Sequence, residues 1–331
     1  MSYIILRMIF SFLFVVYHLH SKKKKSNTLK FSLYFLGFYT STFFLISFYF
    51  SFRSLSSKNN IMIKERLKRI IFPYIIWPLI IFFGKNIFIY INSHHFLYSI
   101  KDLFLQLVVG RTINDVFWFQ FNLIFISIII IIISSFFSRK ISFCIFSYII
   151  LFSIYFNFKG IDKKIFSEYN MRISHSVGRL SYSIIYSLTG YFLGSFNLLG
   201  IIKQRHKKRI LLLSPFFFFI LKEHRKLINF FHKFHFIVLD ILITFLFLFF
   251  ISFHLDSIIS IKFMMIVKRI TSFTGGVYYL HIFIFDIFHP FACLISNRDV
   301  KSCITIYIIC YVICLIFSNI FKKSIIKYLF Y

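Results

Sequence analysis

Apolar positions in this chain come in long blocks divided by short basic stretches. Phe121–Phe137, Phe236–Phe253 and Ile304–Phe321 carry almost no charge, while the segments between such blocks hold nearly all of it. A run of ~18 or more apolar residues is long enough to cross ~30 Å of hydrocarbon as a helix. With no water there to satisfy peptide groups, a helix is the form that pairs them within one segment. Strong period-2 alternation, the mark of a membrane barrel, is missing. The pattern therefore predicts an all-α fold, a polytopic transmembrane helical bundle of about ten spans. These fall at 3–20, 31–52, 71–92, 116–137, 141–157, 180–201, 210–221, 236–255, 272–295 and 303–321. The seventh is the weakest, being short and interrupted by Pro215. Between the second and third lies a basic stretch, Arg53–Arg69, in which Lys64 and Lys68 stand at i,i+4 and Arg66 and Arg69 at i,i+3. Pro73 suits the first turn of the third span. No internal repeat is evident, and residues 1–331 are expected to form a single membrane domain without a soluble one.

Composition agrees with this reading. Of 331 residues 59% are hydrophobic, the mean hydropathy is +0.81 and only 15% are charged, against roughly 25% in a soluble domain. Residues 3–20 are long for a signal core and contain Arg7; a cleavage site calls for small residues, and Ala292 is the only alanine, so a retained first span is expected. The formal net charge of +29 is spread over nearly every loop. That distribution suits anionic lipid headgroups and argues against a nucleic-acid partner. Lysine and arginine set orientation when they favour one side, but the two sets of alternate loops carry 19 each. Charge alone leaves the orientation undecided. Cys144, Cys293, Cys303, Cys310 and Cys314 lie in or beside apolar segments without metal-ligand spacing, so they read as small hydrophobes and no metal site is expected.

An ionisable side chain within a span is costly, which makes it a candidate for function. Arg7 and His18 are eleven residues apart; that is close to three helical turns, so both lie on one face, ~16 Å apart along the axis. The arginine offers a fixed cation and the imidazole a general base near neutral pH. The alternative is that Arg7 snorkels to headgroups while His18 sits in the far interface beside Tyr17 and His20. His281 lies in the ninth span, where it serves either a functional site or an interhelical hydrogen bond. Trp118 suits stacking on a sugar or, alternatively, an interfacial aromatic belt. Gly190-x3-Gly194 is a small-residue packing motif. Phosphate-loop, dinucleotide-fold, HExxH and CxxC patterns are missing.

Five segments in order resemble motifs of the acyltransferase-3 family of membrane O-acyltransferases. Arg7 and His18 within LRMIFSFLFVVYHLH are similar to that family's Arg-x10-His first span. FFLIS (Phe43–Ser47) resembles its FFxISG stretch, KERLKRIIFPYIIW (Lys64–Trp77) its basic loop and proline-aromatic entry to the third span, and DVFWFQFNLI (Asp115–Ile124) the start of its fourth. GGVYYLHIFI (Gly275–Ile284) resembles its SxGIYLxH helix. Phe48 stands where that family has glycine, so close packing there must be solved differently, and Gly275 or Gly276 represents its serine.

The resemblance implies an enzyme that takes an acyl group, usually acetyl from acetyl-CoA, and places it on a carbohydrate hydroxyl such as one of a cell-surface polysaccharide. Acetyl-CoA is then a co-substrate and no cofactor is bound. It implies that His18 deprotonates the acceptor or takes part in transfer, and that Arg7 steadies the donor. It further implies that Arg66 and Arg69 meet the CoA phosphates, for which arginine's bidentate fork is suited. Headgroup binding is the alternative for that pair. His281 and Trp118 would serve substrate binding. The Arg66/Arg69 loop and both termini would face the cytoplasm, in an inner membrane if the source is bacterial. The rival readings are a glycan or lipid transporter or flippase, which tends to show inverted repeats, and a polysaccharide polymerase.

Overall fold

The computed structural model describes residues 11–12, 43–52, 55, 60–110, 113, 117–159, 171–196, 263, 265–267, 271, 273, 275–281, 283–284 and 300–320. The described segments are helical, with no strand among them. In chain order they are α1 (Phe43–Phe52), α2 (Asn60–Ser93), α3 (Ile100–Val109), α4 (Phe117–Phe136), α5 (Arg139–Lys159), α6 (Met171–Ser195), α7 (275–281) and α8 (Val300–Ile320). Three stretches among the described residues are long and apolar enough to cross a membrane: Ile61–Ile91, Phe117–Phe136 and Arg139–Phe156. Among the described residues the number is therefore three, against the expected total of about ten. α1 and the apolar part of α8 (Ile304–Ile320) are shorter apolar helices, α6 carries polar residues along its length, and the expected spans at 210–221 and 236–255 lie outside the described residues, as does nearly all of 3–20.

Where spans and helices meet, most ends agree within a few residues. The expected third span is one exception, because its helix starts at Asn60 rather than near residue 71. The basic stretch is helical and runs unbroken into the apolar part, since Lys, Glu, Arg, Leu and Met are all good helix formers and Lys68 pairs with Glu65 at 3.2 Å, one turn away. Pro73 and Pro78 therefore lie inside the helix, not in its first turn. Proline lacks an N–H, so the Arg69 carbonyl loses its usual intrahelical donor. Gln120 Nε2 of α4 donates to the carbonyl of the next residue, Ile70, at 3.0 Å, a bond from a second helix beside the proline. The sixth span is shifted as well: α6 occupies Met171–Ser195 in place of 180–201.

The described residues divide into two compact units. In the first, α5 packs on α6 and α1 lies against α6 at two glycines. A β-carbon at Gly190 would collide with the Leu45 carbonyl, and one at Gly194 with that of Tyr49. The small-residue motif thus does what its spacing predicts. It also explains Phe48. Close approach of α1 is provided by glycines on the facing helix, which leaves Phe48 free to be a fully buried core residue beside Phe44 and Leu45. Tyr191 completes the packing, with its ring 5.0 Å from Phe52 and 5.5 Å from Phe146 and its hydroxyl 3.3 Å from Ser134 Oγ. Arg139 donates to the Ser195 carbonyl at 3.3 Å, placing a cation at the C-terminal end of α6, where the helix dipole favours one.

The second unit contains α2 from Lys64, α3, the start of α4, α7, α8 and residues 11–12. Its core gathers Tyr74, Trp77, Ile81 and Phe82 of α2, Phe117 of α4, Val277, Tyr279 and Leu280 of α7, and Cys310 and Cys314 of α8.

Candidate functional site

The second unit brings together segments that lie far apart in sequence. The Tyr279 ring of α7 stacks on Trp77 of α2 at 6.0 Å and on Phe117 of α4 at 5.4 Å. Tyr278 lies 5.9 Å from Phe119, and Phe283 is close enough to Gly84 that a β-carbon there would sit 2.7 Å from its ring. Phe12, between Arg7 and His18 in sequence, packs against the same core and meets Tyr307 edge-on at 5.4 Å. Ser11 Oγ and Tyr307 Oη are 3.0 Å apart. Rings of this size account for most of the area buried at such a junction, and offset or edge contacts add roughly 0.5–1.5 kcal/mol each beyond it.

His281 of α7 is fully buried. Its Nδ1 lies 3.2 Å from the Val277 carbonyl, one turn back. A carbonyl only accepts, so Nδ1 carries the proton of that bond and Nε2 of the neutral ring is the acceptor nitrogen. A buried imidazole fixed in one tautomer is equipped to accept a hydrogen bond or a proton at Nε2. Tyr278 flanks it, ring centroids 6.2 Å apart. Trp118 is half-buried at the start of α4, and its backbone abuts Gly110, where an added β-carbon would be 2.9 Å from Trp118 Cα. Gly110 also has φ 75°, a left-handed conformation that favours glycine.

Arg66 and Arg69 stand on the basic turns of α2 and differ in setting: Arg66 is half-buried and Arg69 exposed. Arg7 and His18, on which the first-span reading rests, lie outside the described residues. Among the described cysteines Cys310 and Cys314 are buried, as small hydrophobes should be, whereas Cys144 is exposed. Among the described residues no group of three or more His, Cys, Asp or Glu side chains is placed to hold a metal.

Sequence reasoning missed a set of buried polar side chains in this unit. Tyr74 Oη donates to the Gln106 carbonyl at 3.1 Å and to the Leu107 carbonyl at 2.7 Å. Gln106 Oε1 accepts the Ile113 N–H at 2.7 Å. Asn86 Oδ1 accepts the N–H groups of Leu97 and Tyr98 at 3.1 and 2.9 Å, while its Nδ2 donates to the Tyr98 carbonyl at 3.0 Å. Lys85 Nζ lies 3.5 Å from the Ile113 carbonyl and 5.8 Å from the Tyr98 ring centroid. Attention to ionisable groups passed over these neutral amides and phenols. The legible signal was that Asn86, Gln106 and Gln120 are amides within or beside apolar runs, where a polar group needs a partner.

Comparison with known protein families, with curated protein sequences and with solved structures finds no match for this chain.

Proposed function

We propose that this chain is a multi-pass membrane O-acyltransferase of the acyltransferase-3 kind, folded as about ten helices with both termini in the cytoplasm. It moves an acetyl group from acetyl-CoA to a hydroxyl of a carbohydrate. The observation that carries this reading is the convergence of four of its five motif segments, Phe43–Ser47 belonging to the first unit. Lys64–Trp77, Asp115–Ile124 and Gly275–Ile284 were singled out separately along the sequence, and they supply Trp77, Phe117 and Tyr279 to one buried aromatic stack. Phe12 of the first segment joins the same core. A chance likeness in a Phe-rich chain gives no reason for those segments to share a core.

In this reading His18 takes the proton of the acceptor hydroxyl as its oxygen attacks the thioester carbonyl. The carbon–sulfur bond then breaks, and the CoA thiolate leaves and is reprotonated. Arg7 steadies the thioester region. Arg66 and Arg69 hold CoA phosphates, and their position on the basic turns of α2 supports that role. Trp118 and His281 serve the acceptor side.

The test is acetyl-CoA turnover in purified membranes supplied with a glycan extract, comparing the native chain with His18→Ala at matched expression. Loss of a base or of its positioning is expected to lower the rate by about 100-fold or more. CoA release that does not depend on His18 would remove its catalytic role. No release from either protein would favour transport of a glycan or lipid.

A further inference from the structure

We propose that α3 is a membrane-seated helix that turns back alongside α2 and presents one face to lipid acyl chains. Ten residues make a helix of ~15 Å, half of what a crossing requires, so α3 cannot span. Two bonded regions fix its position. Asn86 holds the backbone at Leu97 and Tyr98, just before α3, and Tyr74 holds the Gln106 and Leu107 carbonyls at its end. Tyr74 and Asn86 both belong to the stretch Ile61–Ile91 that is long and apolar enough to cross a membrane. The chain therefore leaves α2 beyond Asn86 and returns along it to the level of Tyr74.

One feature points to hydrocarbon surroundings, and a second is compatible with them. The first is the outer face. Phe96, Ile100, Phe104 and Val108 recur every four residues, and Ile100 and Phe104 are 80% and 64% exposed. The opposite face is inward, with Gln106 fully buried and Leu103 and Leu107 packed on the core. Phe83, Ile87 and Ile91 of α2 are exposed as well, and Phe96 stacks on Tyr90 of α2 at 5.1 Å across the turn. A water-facing loop has no reason to display such a surface, whereas acyl chains cover it without cost.

The second feature is how α3 ends. Ser99 and Asp102 form a reciprocal capping box at the first turn. At the last turn Gly110 N–H returns to the Gln106 carbonyl at 2.8 Å, Tyr74 takes the Leu107 carbonyl, and Gln106 takes the Ile113 N–H. In water such caps share the terminal groups with solvent. In a bilayer they must be met from within the protein, and here side chains of α2 and α3 meet them.

The experiment uses the full chain reconstituted in phosphatidylcholine vesicles with bromine on the acyl chains. Phe104→Trp adds a reporter on the stripe, and its emission is read as the difference from the native chain, which keeps Trp77 and Trp118. The added emission is expected to be blue-shifted, quenched roughly twofold by bromolipid and little affected by aqueous acrylamide, as for an indole in hydrocarbon. Ile100→Trp, one turn away, repeats the measurement should the first variant fold poorly. Quenching by acrylamide but not by bromolipid would place the stripe in water and overturn the proposal. Indifference to both quenchers would show that another segment of this chain covers it, which overturns the proposal equally.

Discussion

At the residue scale, single polar atoms decide whether apolar segments lie together. Tyr74 illustrates this, since its hydroxyl joins α2 to the last turn of α3 through two carbonyls. The Gln106 carbonyl also receives the Gly110 N–H, so Tyr74→Phe withdraws a donor chiefly from the Leu107 carbonyl. Removing one partner of a buried bond costs about 1–3 kcal/mol, and the variant is expected to melt earlier in detergent than the native protein. An unchanged melting temperature would mean that another donor or water replaces the phenol. Gly190 shows the same dependence in steric form: an absent β-carbon allows the α1 backbone to approach α6. That Gly190 and Gly194 are packing residues was legible from their spacing. That their partner is α1, and that they answer for Phe48, was not, because a spacing identifies a small surface without naming what lies on it.

At the element scale, α2 is the informative case. Its basic turns and its apolar turns read as a loop followed by a span, yet they form one continuous helix from Asn60 to Ser93 with two internal prolines. Beside Pro73, the Ile70 carbonyl takes a side-chain donor from another helix, Gln120 of α4. Gln120→Leu should cost about 1–2 kcal/mol by removing that donor. The cost should stay within about 0.5 kcal/mol of that value where Pro73→Ala is also present, because the restored N–H serves the Arg69 carbonyl and not Ile70. A cost that falls toward zero in the Pro73→Ala background, read as unfolding midpoints in mixed detergent, would show that the bond to Ile70 compensates for the proline. The missed helix α3 teaches a related lesson. Its signals were all present, as Ser99 three residues before Asp102 and as Gly110 beyond its end, but at ten residues it fell below the length by which spans are recognised.

At the scale of the whole molecule, the sequence leaves orientation balanced, with 19 basic residues on each set of loops. The proposed arrangement, with both ends cytoplasmic, makes a definite prediction. A protease-sensitive tag after Tyr331 should be cleaved in inside-out vesicles and protected in right-side-out ones. The reverse pattern would invert the proposed donor side and separate Arg66 and Arg69 from cytoplasmic CoA. A mixture of both patterns would indicate dual insertion, which balanced charge permits.

The sequence by itself determined that the described apolar runs are helices and that three of them are long and apolar enough to cross a membrane, because uninterrupted apolar runs have few other stable forms and helix length follows from bilayer thickness. It also marked the segments that meet in the second unit, since their aromatic and basic letters are local patterns. Only the tertiary structure decided that Trp77, Phe117 and Tyr279 stack, that α2 runs through its basic turns, and that Asn86, Gln106, Gln120 and Tyr74 join the chain across sequence gaps of many residues. The physical reason is the range of the interactions. Burial of an apolar run is a property of that run, whereas a hydrogen bond or a ring contact between distant segments exists only once packing has brought both partners to within a few ångströms.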